Sequence, residues 1–131
     1  KTVLAKYLSI QYMRERKKMF RFLSNELRNI QTDILERILF QAARERLEHL
    51  SDITVYERER EGAVLLFNHA KRTPQEIAHA LARDGICVRA GFHCAPFAHE
   101  ALGTASRGAV RLGFGAFNSI GDLDALWKAL K

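Results

Sequence analysis

Residues 85–118 read GICVRAGFHCAPFAHEALGTASRGAVRLGFGAFN, and their punctuation predicts a strand, a loop, a short helix and a second strand in close succession. Ile86 to Arg89 is short and β-branched and follows a glycine that would end a preceding helix, so it reads as a strand leaving a turn. Alternation along that strand puts Cys87 and Arg89 on one face and Ile86 and Val88 on the other. Gly91 permits the backbone angles of a tight loop. Pro96 is placed as the first residue of a short helix running to Leu102, with Gly103 as its stop. Ala109 to Phe114 forms the second strand, with Val110, Leu112 and Phe114 toward a core and Arg111 pointing the other way.

This stretch also concentrates reactive side chains. Cys94 falls just before a helix N-terminus, where orphan N–H groups, the positive end of the helix dipole and nearby cations favour a thiolate. Read from its surroundings alone, Cys94 is either a reactive thiol or an ordinary loop cysteine. Cys87 reads as a small buried strand residue. Arg111, in the middle of an apolar strand with no acidic neighbour in sequence, needs a carboxylate or phosphate partner, and a planar guanidinium suits bidentate capture of a carboxylate. His93, Cys94 and His99 offer three zinc-ligand types, but without a paired CxxC or HxxxH they make a weak metal signal.

Working outward, Thr73-Pro74-Gln75-Glu76 is a helix start, with a capping Thr, Pro at the first position and Glu three residues after the cap; the helix runs to Asp84 and Gly85 ends it. Ser119 with Asp122 opens a last helix whose packing face is Leu123, Leu126, Trp127 and Leu130. Upstream, Ile53 to Tyr56 and Ala63 to Asn68 read as neighbouring strands joined by the charged ERERE connection. No glycine or proline occurs before Gly62, and residues 2–49 read as helix, with Phe20, Leu23, Leu27, Ile30 and Ile34 forming one apolar stripe. A single helix of about 45 residues would be roughly 68 Å long at ~1.5 Å per residue, more than a small domain holds. A break is therefore expected near residues 29–33, where Asp33 and Glu36 can cap a second helix.

The fold class is thus α/β, of the two-layer α+β kind: a sheet of about four strands covered by helices in residues 51–131, preceded by a helical segment over residues 1–50. The chain of 131 residues is 47% apolar and 27% charged, a composition suited to one globular core. It carries no apolar run near the ~20 residues that span a bilayer and no signal-peptide core, and its two unlike cysteines suggest reduced thiols, all of which predict a cytoplasmic protein. Net charge is +6, and residues 1–50 hold eleven Lys and Arg against six Asp and Glu. The basic run Arg14 to Arg21 reads as a solvated helix face, so nucleic acid is not an expected partner.

RAGFHCAP, followed after a short helix by VRLGFGAFN and a closing helix, resembles the C-terminal end of the class V aminotransferase family, on the side of the cysteine desulfurases and selenocysteine lyases. The resemblance is specific from Ile53 to Lys131. It implies the small domain of a fold-type I pyridoxal-phosphate enzyme. It makes Cys94 the catalytic thiol that accepts sulfur as a persulfide, leaving alanine, and Arg111 the substrate-carboxylate residue, with Arg89 and His93 in supporting substrate-binding positions. It further implies L-cysteine or selenocysteine as substrate, a sulfur-acceptor protein as partner and a homodimeric parent. The family's Schiff-base lysine and phosphate-binding residues belong to a preceding large domain. None of the seven lysines here lies in a sequence resembling that motif, so this chain alone is expected neither to hold pyridoxal phosphate nor to turn over substrate. Two other readings stay open: another class V lyase or aminotransferase, and a non-catalytic module that uses the basic helical arm to bind a partner.

Overall fold

The computed structural model describes residues 3–56 and 63–131, with side chains from residue 14 onward; the ERERE connection lies outside the described residues. The elements run α1 (Val3–Glu48), β1 (Ile53–Val55), β2 (Val64–His69), α2 (Pro74–Arg83), β3 (Arg89–Gly91), α3 (Pro96–Ala101), β4 (Ala109–Gly113) and α4 (Ile120–Leu130). The four strands form one sheet in the order β1-β2-β4-β3, and every neighbouring pair is antiparallel. This is the predicted two-layer α/β arrangement.

The register explains the layers. Leu65 pairs with Leu112 and Phe67 with Val110, so four large apolar side chains leave one face of the two central strands. They are buried against Phe40 and Leu47 of α1, Ile77 and Leu81 of α2, and Leu126 and Leu130 of α4. Fully burying each such side chain contributes about 1.5 to 3 kcal/mol, which makes this the seam that holds the sheet to its helices. The caps work as the sequence predicts. Glu76 N–H donates to Thr73 Oγ1 at 3.2 Å while Thr73 N–H donates to Glu76 Oε2 at 2.7 Å, and Ser119 N–H donates to Asp122 Oδ2 at 2.8 Å.

Several expectations change. No break occurs at residues 29–33: α1 is continuous from Val3 to Glu48, and Thr32 Oγ1 donates back to Arg28 O at 3.0 Å inside the helix. With no glycine or proline in the segment, nothing forces the backbone out of the helical basin. The chain divides into two compact units at Ile34, within the helix and not at residue 50, because Leu39, Phe40, Ala43 and Leu47 are core residues of the second unit. In the first unit the predicted stripe Phe20, Leu23, Leu27, Ile30 and Ile34 is present but 50 to 73% exposed.

The strand expected at Ile86–Arg89 begins only at Arg89. Gly85, at φ 75°, closes α2 with Gly85 N–H to Ala82 O and Ile86 N–H to Leu81 O. This left-handed C-cap uses the amide that a strand would need. Cys87, expected to be buried, is exposed, since it points outward from a segment that pairs with no strand. Trp127 is only half-buried, with Lys131 Nζ 5.0 Å from its ring centroid.

A close backbone approach joins Gly91, at the end of β3, to Gly108, just before β4. Gly108 has φ +72°, and a Cβ there would sit 2.6 Å from both the carbonyl carbon and the oxygen of Gly91. Gly108→Ala should therefore destabilise the fold by about 2 to 5 kcal/mol, the left-handed penalty plus a backbone clash. Gly103→Ala, at φ +70° with nothing within 4 Å, should cost only the ~1 to 2 kcal/mol of the first effect. Urea unfolding of the two variants measures the difference, and equal midpoints would show that the close approach does not matter.

Candidate functional site

β3 is an edge strand, and its C-terminal end runs directly into the loop Phe92–Ala95. Arg89 pairs with Arg111 across the β3–β4 ladder, and Arg111 pairs in turn with Leu66 on β2. Because Val110 and Leu112 face the core, Arg111 and its partner Arg89 share the opposite face. Side chains directly across an antiparallel pair have Cβ atoms about 4.5 to 5.5 Å apart, and like charges there repel. Among the described residues no hydrogen bond or ion pair is formed by either guanidinium. Two adjacent cations on an otherwise neutral strand pair make a seat for an anion, and a carboxylate matches a guanidinium's two parallel N–H groups.

The loop beside this pair is strained. His93 and Cys94 both adopt positive φ, 53° and 58°, a left-handed conformation that costs an ordinary residue roughly 1 to 2 kcal/mol. Such strain persists only where the surroundings over-determine it. Here Ala95 N–H closes the turn on Phe92 O at 2.9 Å, and His93 Nε2–H donates to Ala109 O at 3.1 Å, tying the loop to the start of β4. Cys94 itself is exposed.

His93 is held neutral. Its pKa lies below the usual imidazole value, first because burial disfavours the charged form and also because the positive charges of Arg111 and Arg89 oppose a further proton. The bond to Ala109 O acts in the other direction. A neutral ring that donates through Nε2 keeps the lone pair on Nδ1, next in sequence to the thiol.

The structure therefore brings the charges of Arg89 and Arg111 within electrostatic reach of His93, the residue before Cys94. Beneath it lies His99, only 2% exposed, whose Nδ1 is 2.7 Å from Thr104 Oγ1. Its ring meets Phe92 edge-on with centroids 5.5 Å apart and His93 at 5.6 Å. The sequence reading considered His99 only as a zinc ligand and missed Thr104, because their contact depends on the turn after α3. Among the described residues no group of three or more His, Cys, Asp or Glu side chains could hold a metal. Asn68 was also missed; it is buried on β2 and donates from Nδ2 to Gly108 O at 2.9 Å, bracing the Gly91–Gly108 contact.

A family model for class V aminotransferases matches residues 15–126. The chain is 36% identical over 96 residues to a probable cysteine desulfurase of Halalkalibacterium halodurans, covering 73% of this chain and 23% of that protein. It also resembles the crystal structure of the Escherichia coli cysteine desulfurase CsdA, with a TM-score of 0.69 and 28% identity over 75% of this chain and 24% of the other. The apo cysteine desulfurase of Thermococcus onnurineus gives 0.70 and 26%, over 76% and 25%. The chain thus spans about a quarter of the length of these relatives.

Proposed function

The chain belongs to the class V aminotransferase family, and from that premise we propose that it is the sulfur-receiving part of a cysteine desulfurase, with Cys94 as acceptor. The observation that carries this reading is the exposed Cys94 thiol on a strained loop, flanked by a cross-strand pair of arginines. Arg111 holds the carboxylate of L-cysteine or selenocysteine, Arg89 adds positive charge beside it, and His93 supports the loop as a neutral base. As the C–S bond of cysteine breaks, Cys94 sulfur forms the new S–S bond and a proton takes the electron pair left on carbon. The products are alanine and a Cys94 persulfide. Atoms and electrons balance with no external oxidant or reductant, and the persulfide sulfur then passes to an acceptor.

The family implies pyridoxal phosphate in the parent enzyme. Among the described residues no lysine is placed in the Cys94 loop to carry that cofactor. The lysines with described side chains sit on α1, in the β2–α2 turn, on α4 and at the residue after it, none in the Cys94 loop. Lys71 is held by Asp52 at 3.0 Å and Lys18 by Glu15 at 3.1 Å. The chemistry assigned to this chain is therefore confined to what its own thiol, imidazole and guanidinium groups do. Among the described residues no helix is long and apolar enough to cross a membrane.

The test is a mass measurement. After the full-length protein is incubated with pyridoxal phosphate and L-cysteine, the peptide carrying Cys94 should gain the mass of one sulfur atom, and the peptide carrying Cys87 should not. A gain on neither peptide would favour the non-catalytic interaction module, and formation of a product other than alanine would favour a different class V lyase or aminotransferase.

A further inference from the structure

We propose that His99 is the positioning residue of the Cys94 loop, a role that rests on reading Cys94 as the sulfur acceptor. The starting point is a mismatch between strain and local support. His93 and Cys94 occupy the left-handed region without being glycine, while the helix that follows is too weak to hold them there. α3 has six residues and its N-cap, Ala95, makes no side-chain cap bond, and helices this short need tertiary contacts to persist.

Those contacts form a closed circuit around Cys94. His93 Nε2–H bonds to Ala109 O at 3.1 Å. The residue before it, Gly108, donates its N–H to Thr104 O at 2.8 Å and packs its backbone on Gly91. Thr104 N–H donates to His99 O at 2.8 Å, and Thr104 Oγ1 meets His99 Nδ1 at 2.7 Å. The His99 ring closes the circuit by touching Phe92 and His93, the two residues that precede the thiol. An apolar side chain of equal size would fill the same space but would not lock the ring to Thr104. The buried imidazole therefore joins the turn before β4 to the underside of the cysteine loop, and through it the strained backbone is kept.

Three variants of the full-length protein test this. His99→Phe keeps a ring and removes the hydrogen bond, Thr104→Val removes the same bond from the other side at constant shape, and His99→Asn keeps a nitrogen donor near the position of Nδ1. His99→Phe and Thr104→Val should each lower kcat for alanine formation from cysteine by about three- to tenfold, the worth of one buried hydrogen bond. KM should be unchanged, because Arg89 and Arg111 lie on the strands and not in the circuit. The double variant should fall no further than either single one, since both cut one link, and His99→Asn, which restores the bond to Thr104 but not the ring contacts with Phe92 and His93, should recover part of kcat. In a measurement that needs no turnover, the ratio of Cys94 to Cys87 labelling by iodoacetamide should fall in His99→Phe and Thr104→Val and recover in part in His99→Asn. A kcat within twofold of wild type in both variants, with an unchanged labelling ratio, overturns the proposal, as does a parallel shift of kcat, KM and unfolding midpoint without rescue by asparagine. If Cys94→Ala proves fully active, the acceptor reading fails, whereas the labelling ratio still decides what His99 does to the loop.

Discussion

Cys94→Ala in the full-length protein should remove alanine formation from L-cysteine while leaving uptake of pyridoxal phosphate intact. The acceptor must supply the electron pair that forms the S–S bond, and a methyl group has none. Removing a covalent nucleophile lowers turnover on the order of 10⁴-fold or more, which places the variant at the background rate. Cofactor uptake should persist, since replacing the Cys94 thiol by a methyl group removes no lysine and no charged group. Cys87→Ala supplies the control. Both thiols are exposed, so exposure alone would let either accept sulfur, whereas the strained loop and the arginine pair single out Cys94. Wild-type rates in Cys94→Ala, or a comparable loss in Cys87→Ala, would show that the acceptor has been assigned to the wrong residue.

Arg111→Ala is the second large effect. Arg111 is half-buried on the sheet face away from the core and directly opposite Arg89. If its guanidinium holds the substrate carboxylate, losing hydrogen bonds to a charged group worth ~1.5 to 3 kcal/mol lowers kcat/KM by roughly 10- to 150-fold at ~1.4 kcal/mol per decade. Weaker substrate binding should account for most of that loss. Arg111→Lys should recover only part of it, because an ammonium cannot make the two-pronged contact. The register adds a test that a structural arginine would fail. Removing one of two like charges across a strand pair relieves repulsion, so Arg111→Ala should leave the urea midpoint unchanged or slightly raised. Wild-type kcat/KM, or a clear loss of stability, would make Arg111 a structural residue and remove it from the substrate site.

The sequence by itself determined the elements and their boundaries wherever local chemistry is strong. Thr73-Pro74-Gln75-Glu76 could only begin a helix, Ser119 and Asp122 another, and the alternation around Val110 and Leu112 assigned Arg111 to the face away from the core before any strand pairing was known. The motif around Cys94 identified the family because its residues are contiguous. What depends on distant partners was decided only by the tertiary structure. The sheet order places Arg89 opposite Arg111 although 21 intervening residues separate them, and no local pattern encodes that register. The left-handed angles at His93 and Cys94 carry no glycine signal, because the strain is held by Ala109, Phe92 and the buried His99–Thr104 pair. Cys87 looked buried because its neighbours are β-branched, yet Gly85 and the α2 cap consume the amide of Ile86 and delay the strand. The continuity of α1 ran the other way: the sequence contained no breaker, and the expected break came from an argument about length that the helical backbone has no physical reason to obey.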